Sequence, residues 1–376
     1  NIMKTLLCVI AAIAFLTLPV LAEDVKVDFK GSRLAAGYMD NGGGGNANPG
    51  TFGLPDAKFR INGQFDENTT AVLRMSFSNG AAGNVDYGYV KLANVIKNLA
   101  KSDTVNPDIY VGRIKINFGE ETWTDNPIES AVIQNSRGIV NGYDMGVEFR
   151  QKALPIELPL TLGYALAIMN GGDNSTTAGF TDTNNTKAYL LKVMGTMKSM
   201  PLYFSLSQYD SGTLPGGAGS TSALMGRTDA TGPWYVKGYE LDVRYDLLEG
   251  AQKFDPSKAP LFSDAKGVFR LAYGSATDGD TTVAARTTIG HVMLDGIYNV
   301  DKQWYVAFRY SYDDVDVKGI TTGDFGKTTR MSLGGGHRLS DNAILKLDYT
   351  TNTESNTTSN PKVDNDSVSL LMTVKW

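Results

Sequence analysis

Trp304-Tyr305-Val306-Ala307-Phe308-Arg309-Tyr310-Ser311-Tyr312 sets a large apolar or aromatic residue at 304, 306, 308, 310 and 312 against Tyr305, Ala307, Arg309 and Ser311. Period two belongs to a β-strand, whose successive side chains point to opposite faces. One face of this strand is greasy and the other carries charge. The same pattern recurs at Phe59, Ile61, Gly63 and Phe65 against Lys58, Arg60, Asn62 and Gln64, and at Tyr143, Met145, Val147 and Phe149 against Asp144, Gly146, Glu148 and Arg150. It returns at Val368, Leu370, Met372, Val374 and Trp376, where Leu371 is the one apolar intruder on the polar face.

Sixteen such runs occur in the chain, near 24–39, 54–65, 69–78, 85–96, 108–118, 139–150, 158–169, 187–197, 202–210, 234–246, 266–274, 287–299, 303–313, 327–339, 343–351 and 366–376. The composition agrees: 376 residues, 42% hydrophobic, 41 Gly, 18 Tyr, 15 Phe and 4 Trp describe a β-rich chain with many turns and enough apolar surface to exclude disorder. Only the extreme N-terminus approaches the apolar length of a membrane helix. There Lys4, the apolar stretch Leu6 to Leu18, Pro19 and Val20-Leu21-Ala22 read as a signal peptide, residues 1–22, cleaved before Glu23. The single Cys, Cys8, leaves with it, so residues 23–376 are expected to form one domain without disulfides.

An even number of strands of about ten residues is what a bacterial transmembrane barrel needs. The connections test this independently, because they alternate long and short: 40–53 is long and 66–68 short, 170–185 long and 198–200 short, 314–326 long and 340–342 short. In such barrels external loops are long and periplasmic turns short, which puts both termini in the periplasm. Residues 79–84 are short for an external loop, and 247–265 long for a periplasmic turn. The expected fold is therefore all-β, a closed antiparallel transmembrane β-barrel of about sixteen strands. Closure is required because lipid satisfies no backbone polar group.

Two stretches carry a family resemblance. Leu370-Leu371-Met372-Thr373-Val374-Lys375-Trp376 resembles the C-terminal assembly signal of Gram-negative outer-membrane proteins, with Trp376 in the terminal aromatic position. Tyr110-Val111-Gly112-Arg113-Ile114-Lys115-Ile116-Asn117-Phe118-Gly119-Glu120-Glu121, then Asn135-Ser136-Arg137-Gly138 and Gly142-Tyr143-Asp144-Met145-Gly146-Val147, resemble the third-loop region of sixteen-stranded porins, most of all the phosphate-selective porin O and P-like group. The resemblance implies an outer-membrane porin amid lipid and lipopolysaccharide, a homo-oligomer, commonly a trimer, and a passive channel rather than an enzyme. It implies that loop 119–137 enters the barrel, offering Glu120, Glu121, Asp125, Glu129 and Arg137 to a constriction. Four carboxylates there argue against simple phosphate specificity.

If the greasy face meets lipid, strand parity turns Lys26, Lys30, Lys58, Arg60, Arg74, Arg113, Lys115, Arg150, Lys192, Arg244, Arg270, Arg309, Arg330, Arg338, Lys346 and Lys375 inward, against Asp28, Asp144, Glu148, Glu240, Asp242 and Asp348. A wet lumen in a low-dielectric wall focuses such a field, so small ions and solutes should pass with a modest preference for anions. Cross-strand pairing of these charges would cancel much of it. His291 and His337 have no His or Cys neighbours, and no cofactor or metal site is expected. Asp278, Asp280, Asp314 and Asp316 are read as loop acids, and Gly334-Gly335-Gly336 as a place where a loop approaches closely or the wall kinks. No pattern points to nucleic acid. The alternatives are a substrate-specific channel for phosphate or organic acids, a barrel sheath around a periplasmic electron-transfer cytochrome and, last, a barrel protease or phospholipase, whose fewer strands and rim Ser/His or Asp/His constellation the two strand-borne His do not suggest.

Overall fold

A computed structural model describes residues 25–39, 51–77, 84–100, 105–120, 126–133, 140, 142–171, 186–213, 233–280, 286–318, 326–354 and 366–376. Its strands are β1 (Lys26–Asp28), β2 (Arg33–Met39), β3 (Thr51–Gln64), β4 (Thr69–Ser76), β5 (Asn84–Leu92), β6 (Asp108–Lys115), β7 (Tyr143–Gln151), β8 (Leu160–Met169) and β9 (Ala188–Met197). They continue as β10 (Leu202–Asp210), β11 (Trp234–Leu247), β12 (Gly267–Asp280), β13 (Arg286–Asn299), β14 (Trp304–Lys318), β15 (Lys327–Ser340), β16 (Ala343–Glu354) and β17 (Ser367–Lys375). Each of β2 to β16 pairs antiparallel with its successor, and β17 returns to β2. The short β1 also pairs with β3, so β1 and β2 are two halves of one stave and the barrel has sixteen. All sixteen runs predicted from periodicity recur as strands.

The first stave breaks at residues 29–32, where Gly31 adopts a φ of 93°, a left-handed conformation that costs glycine nothing. The break carries the barrel's closure. Gly31 N–H donates to the Trp376 carbonyl at 2.6 Å, Trp376 N–H donates to Ser32 at 3.1 Å, and the Ser32 hydroxyl both donates to and accepts from the Arg60 backbone. Further along the seam, strands β17 and β2 approach so closely that a Cβ on Gly37 would sit 2.0 Å from the Leu370 carbonyl oxygen.

The two faces divide as the alternation requires. Trp304, Val306 and Phe308 are exposed on the outside, whereas Tyr305, Ala307 and Arg309 are at most 2% exposed inside. Side-chain caps tighten the short turns: Asp66 accepts the amides of Asn68 and Thr69, and Asp301 those of Gln303 and Trp304. These amide hydrogen bonds, the one from Trp304 first, hold the Asp301 carboxyl below the ordinary aspartate range.

Three features depart from expectation. Strands β12 and β14 run past their predicted ends, so Asp278, Asp280, Asp314 and Asp316 lie in strands rather than loops, with Asp278 fully buried. The β5–β6 connection contains a short helix, α1 (Val95–Ala100). The long connection 248–266 turns back into the barrel mouth, where Leu261 is fully buried and a 3-10 turn spans Pro260–Phe262. Among the described residues no helix is long and apolar enough to cross a membrane.

Candidate functional site

The site is what remains of the barrel interior after two segments have entered it. The first follows β6. Ile114, Ile116 and Phe118 pack with Val140 against inward-facing Met169, Leu190, Trp234, Val236 and Ile289. At the next corner the Gly119 amide donates to Ser207 Oγ at 3.0 Å, Lys192 Nζ donates to the Gly119 carbonyl at 2.5 Å, and Glu120 receives Lys192 at 2.9 Å and the Tyr203 hydroxyl at 2.5 Å. The segment then reaches the opposite wall. Lys346 Nζ donates to the carbonyls of Pro127, Ile128 and Ser130 at 2.6, 3.1 and 2.7 Å, the Tyr305 hydroxyl donates to Ala131, and Ile133 N–H donates to Asp348 at 2.6 Å.

Sequence misfits mark these moorings. Leu371, the apolar intruder, is fully buried against Ala35 and Ile133. Gly336 leaves the space the Tyr305 ring fills, since a Cβ there would lie 2.6 Å from that ring. The glycine run is therefore a place of close approach by neighbouring strands rather than by a loop, Tyr305 filling the space at Gly336 and Asp348 that at Gly334.

The second segment, 248–266, fills part of the mouth at the end of the barrel where the short turns 300–303 and 341–342 lie. Leu261 and Ala265 join Ala131, Val132, Val268, Ile297, Tyr305, Ala307 and Ile344 in one apolar cluster, so the two segments touch a common core inside the barrel. Arg338 donates to the Leu261 carbonyl at 2.9 Å, Arg244 to the Lys258 carbonyl at 2.5 Å, and Lys375 Nζ sits 3.3 Å from the Phe262 ring centroid.

A cavity of about 680 Å³ lies against segment 248–266, between it and Asn299, Arg338 and Asp341, and two adjoining cavities of about 340 and 210 Å³ lie along β2 to β7. Arg60, Arg74, Tyr87 and Lys115 line both. Tyr89, Tyr110, Glu120, Glu148 and Arg150 belong to the larger, and Arg33, Glu129, Tyr143 and Lys375 to the smaller. Four rings form a continuous row on this wall: Tyr143 to Tyr87 at 5.8 Å between centroids, Tyr87 to Tyr89 at 5.6 Å, and Tyr89 to Tyr110 at 5.5 Å. Guanidinium groups cover them, Arg74 over Tyr87 at 4.2 Å and Arg150 over Tyr110 at 4.6 Å.

Of the residues expected at a constriction, Glu120 and Glu129 lie beside these cavities, while Glu121, Asp125 and Arg137 fall outside the described residues, as do residues 1–22. The basic residues assigned inward do not act as one wall. Arg244, Arg338 and Lys346 hold the inward segments. Arg270 and Arg309 share Asp295 at 3.4 and 3.3 Å, Arg330 donates to Asn352 at 2.7 Å, and Arg113 Nε donates to the Asp86 carbonyl at 2.9 Å. Asp144 accepts the Gly171 amide, Asp242 the Ser205 hydroxyl, and Glu240 stands against Gly119.

Sixteen inward bases against six acids is also corrected. Asp56, Asp246, Asp278, Asp295 and Asp313 are buried, and Asp86 joins them by pairing with Lys58 at 2.8 Å and Arg74 at 3.1 Å. Further pairs are Arg33 with Asp56, Arg150 with Glu148 at 2.9 Å, and Arg244 with Asp246 at 2.7 Å. His291 pairs with Asp313 at 2.6 Å, and His337 stacks on Trp304. Tyr143 was expected on the lipid face, yet its hydroxyl accepts from Arg74 at 2.5 Å inside the barrel. Tyr87 and Tyr89 were not expected at the site at all; their shared parity with Lys91 in β5 was the available sign.

No protein-family model matches the chain, and no curated protein matches it in sequence. Solved structures do. The outer-membrane channel DcaP of Acinetobacter baumannii aligns at a TM-score of 0.62 and 10% identity over 94% of this chain and 97% of that one. OmpF of Salmonella typhi, in complex with daunomycin, aligns at 0.57 and 11% over 95% and 99%. OmpT of Vibrio cholerae, an outer-membrane protein in trimer form, aligns at 0.56 and 10% over 94% and 100%. At these identities the likeness establishes the architecture: the chain has the barrel fold of outer-membrane channels.

Proposed function

We propose that the chain is an outer-membrane porin, exported through a cleaved signal peptide and passing small hydrophilic solutes and ions down their gradients, with a modest preference for anions. The observation that carries the reading is the lining of the two adjoining cavities. Arg33, Arg60, Arg74, Lys115, Arg150 and Lys375 face Glu120, Glu129 and Glu148 there, six cations against three carboxylates. Pairing acts on both signs: Arg150 and Glu148 cancel each other and Glu120 is neutralised by Lys192, while Arg33 pairs with Asp56 and Arg74 with Asp86, so the excess of cations is smaller than the bare count. Low-dielectric walls make even a small excess of one sign effective on passing ions. A trimer is the proposed assembly, supported by the trimer form of the Vibrio cholerae OmpT.

A substrate-specific anion channel is the second reading, favoured by the narrowness that two inward segments impose. A cytochrome sheath fits less well, because the chain's own residues occupy the interior that a partner would need. Planar-bilayer recording tests the proposal. Discrete conductance steps with an anion-selective reversal potential in a KCl gradient are expected. Absence of steps overturns the pore, and clear cation selectivity overturns the anion preference.

A further inference from the structure

We propose that the larger of the two adjoining cavities is a binding slot for organic anions with a flat apolar body, of the aromatic carboxylate class. The inference deepens the pore reading and rests on it. Tyr87, Tyr89, Tyr110 and Ile114 line the slot from strands β5 and β6, and Ile116 and Phe118 line it from the incoming segment, so a planar ring entering it meets apolar side chains from the wall and from that segment. At about 340 Å³ the cavity has the size of a small-molecule pocket.

The charge at the slot is placed for one carboxylate and not for a compact dianion. Arg74 is shared between Asp86 and the Tyr143 hydroxyl, and Arg150 is chelated by both oxygens of Glu148. Both guanidinium groups are therefore largely engaged already, one face of each lying on a tyrosine ring. Arg60 differs. Its Nε donates to the neutral Asn62 Oδ1 at 2.7 Å, and Asp28, whose charge it feels, is joined to it through Asn62 rather than by a direct ion pair. A planar guanidinium with donors to spare binds a carboxylate in bidentate fashion. Inorganic phosphate would need several such donors converging. An aromatic carboxylate needs this one, plus the rings beside it.

Calorimetry on the folded full chain in detergent, with benzoate, acetate and inorganic phosphate as probes, tests the slot. Benzoate should bind about tenfold more tightly than acetate, since only benzoate buries a ring. Arg60→Gln should weaken benzoate and acetate alike. Tyr89→Ala should weaken benzoate about three- to tenfold and leave acetate unchanged, whereas Tyr89→Phe, which keeps the ring, should stay within about twofold of the parent. Benzoate binding no better than acetate, phosphate binding best, or indifference to Tyr89→Ala would each overturn the proposal. Bilayer conductance of the same preparation reads the pore separately. A protein that conducts without discriminating the probes loses only the slot, and one that binds benzoate without conducting loses only the pore.

Discussion

Replacing Lys346 by methionine should release the segment that crosses the barrel while leaving the wall intact. The ammonium donates to three carbonyls, those of Pro127, Ile128 and Ser130, at 2.6, 3.1 and 2.7 Å. Methionine matches its length and apolar stem but donates nothing. A buried acceptor that loses its donor costs about 1–3 kcal/mol, and the low end applies where lumen water can reach the vacated groups. Three carbonyls at about 1 kcal/mol each give about 3 kcal/mol of lost docking, roughly a hundredfold in the docked-to-free ratio. The strand itself should not notice, because the pairing of Lys346 with Leu371 and Gly336 is made by the backbone. Single-channel recording should therefore show larger and noisier steps for Lys346→Met, with the folded barrel's heat-modifiable migration on gels unchanged. Lys346→Arg, which restores donors, should fall between. Steps of parental size and quietness would refute the reasoning, since the lysine would then not be holding the segment.

Three other perturbations probe separate parts of the structure. Leu261→Asp would place a carboxylate among Val268, Tyr305 and Ile344, at a cost of several kcal/mol that segment 248–266 can relieve only by leaving the mouth; a rise in conductance is expected, and an unchanged one would mean the segment does not narrow the path. Gly37→Val adds atoms where even a Cβ comes within 2.0 Å of the Leu370 carbonyl oxygen, so strands β17 and β2 should fail to seal; normal yield of folded barrel in refolding would contradict this. Leu333, 65% exposed on the outer face of β15, tests the lipid assignment. Leu333→Arg should cost about 2–4 kcal/mol in a bilayer and much less in detergent, and equal stability in the two media would remove the residue from the membrane's core.

Strand periodicity reached every stave because lipid enforces it: each outward position must be apolar, so Trp304, Val306 and Phe308 cannot trade places with their neighbours. The interior was less legible, and for identifiable reasons. Asp56 and Asp246 share the parity of Lys58 and Arg244 in strands β3 and β11, so alternation held the information and the tally of bases against acids omitted it. Asp86 sits opposite a register shift between Arg74 and Met75, where parity slips and simple counting fails. Asp278 and Asp313 lie at or beyond the expected strand ends. Glu120 is turned into the barrel by tertiary anchors, Lys192 and Tyr203, that come from strands more than seventy positions away. No local pattern encodes such a contact.

One signal in the sequence does report the interior's geography, and it is the breaking of alternation itself. A residue that faces the inside of a wide barrel should be polar unless something covers it, since water fills the space otherwise. Leu190, Val236, Ile289, Ile344 and Leu371 all face inward and are all buried. Each lies beneath one of the two entering segments or packs in the cluster that carries it. They stand on β9, β11, β13, β16 and β17, whereas Arg60, Arg74, Tyr87 and Tyr89 on β3 to β5 remain facing the open cavities. Apolar intruders thus map the covered part of the wall, and the cationic and tyrosine-rich part is the remainder by subtraction. These two cavities are consequently eccentric, set against one side of the barrel, and their chemistry is set by fewer than half of the strands. That is why an acidic chain with many paired interior charges can still line these two cavities with six cations and three carboxylates.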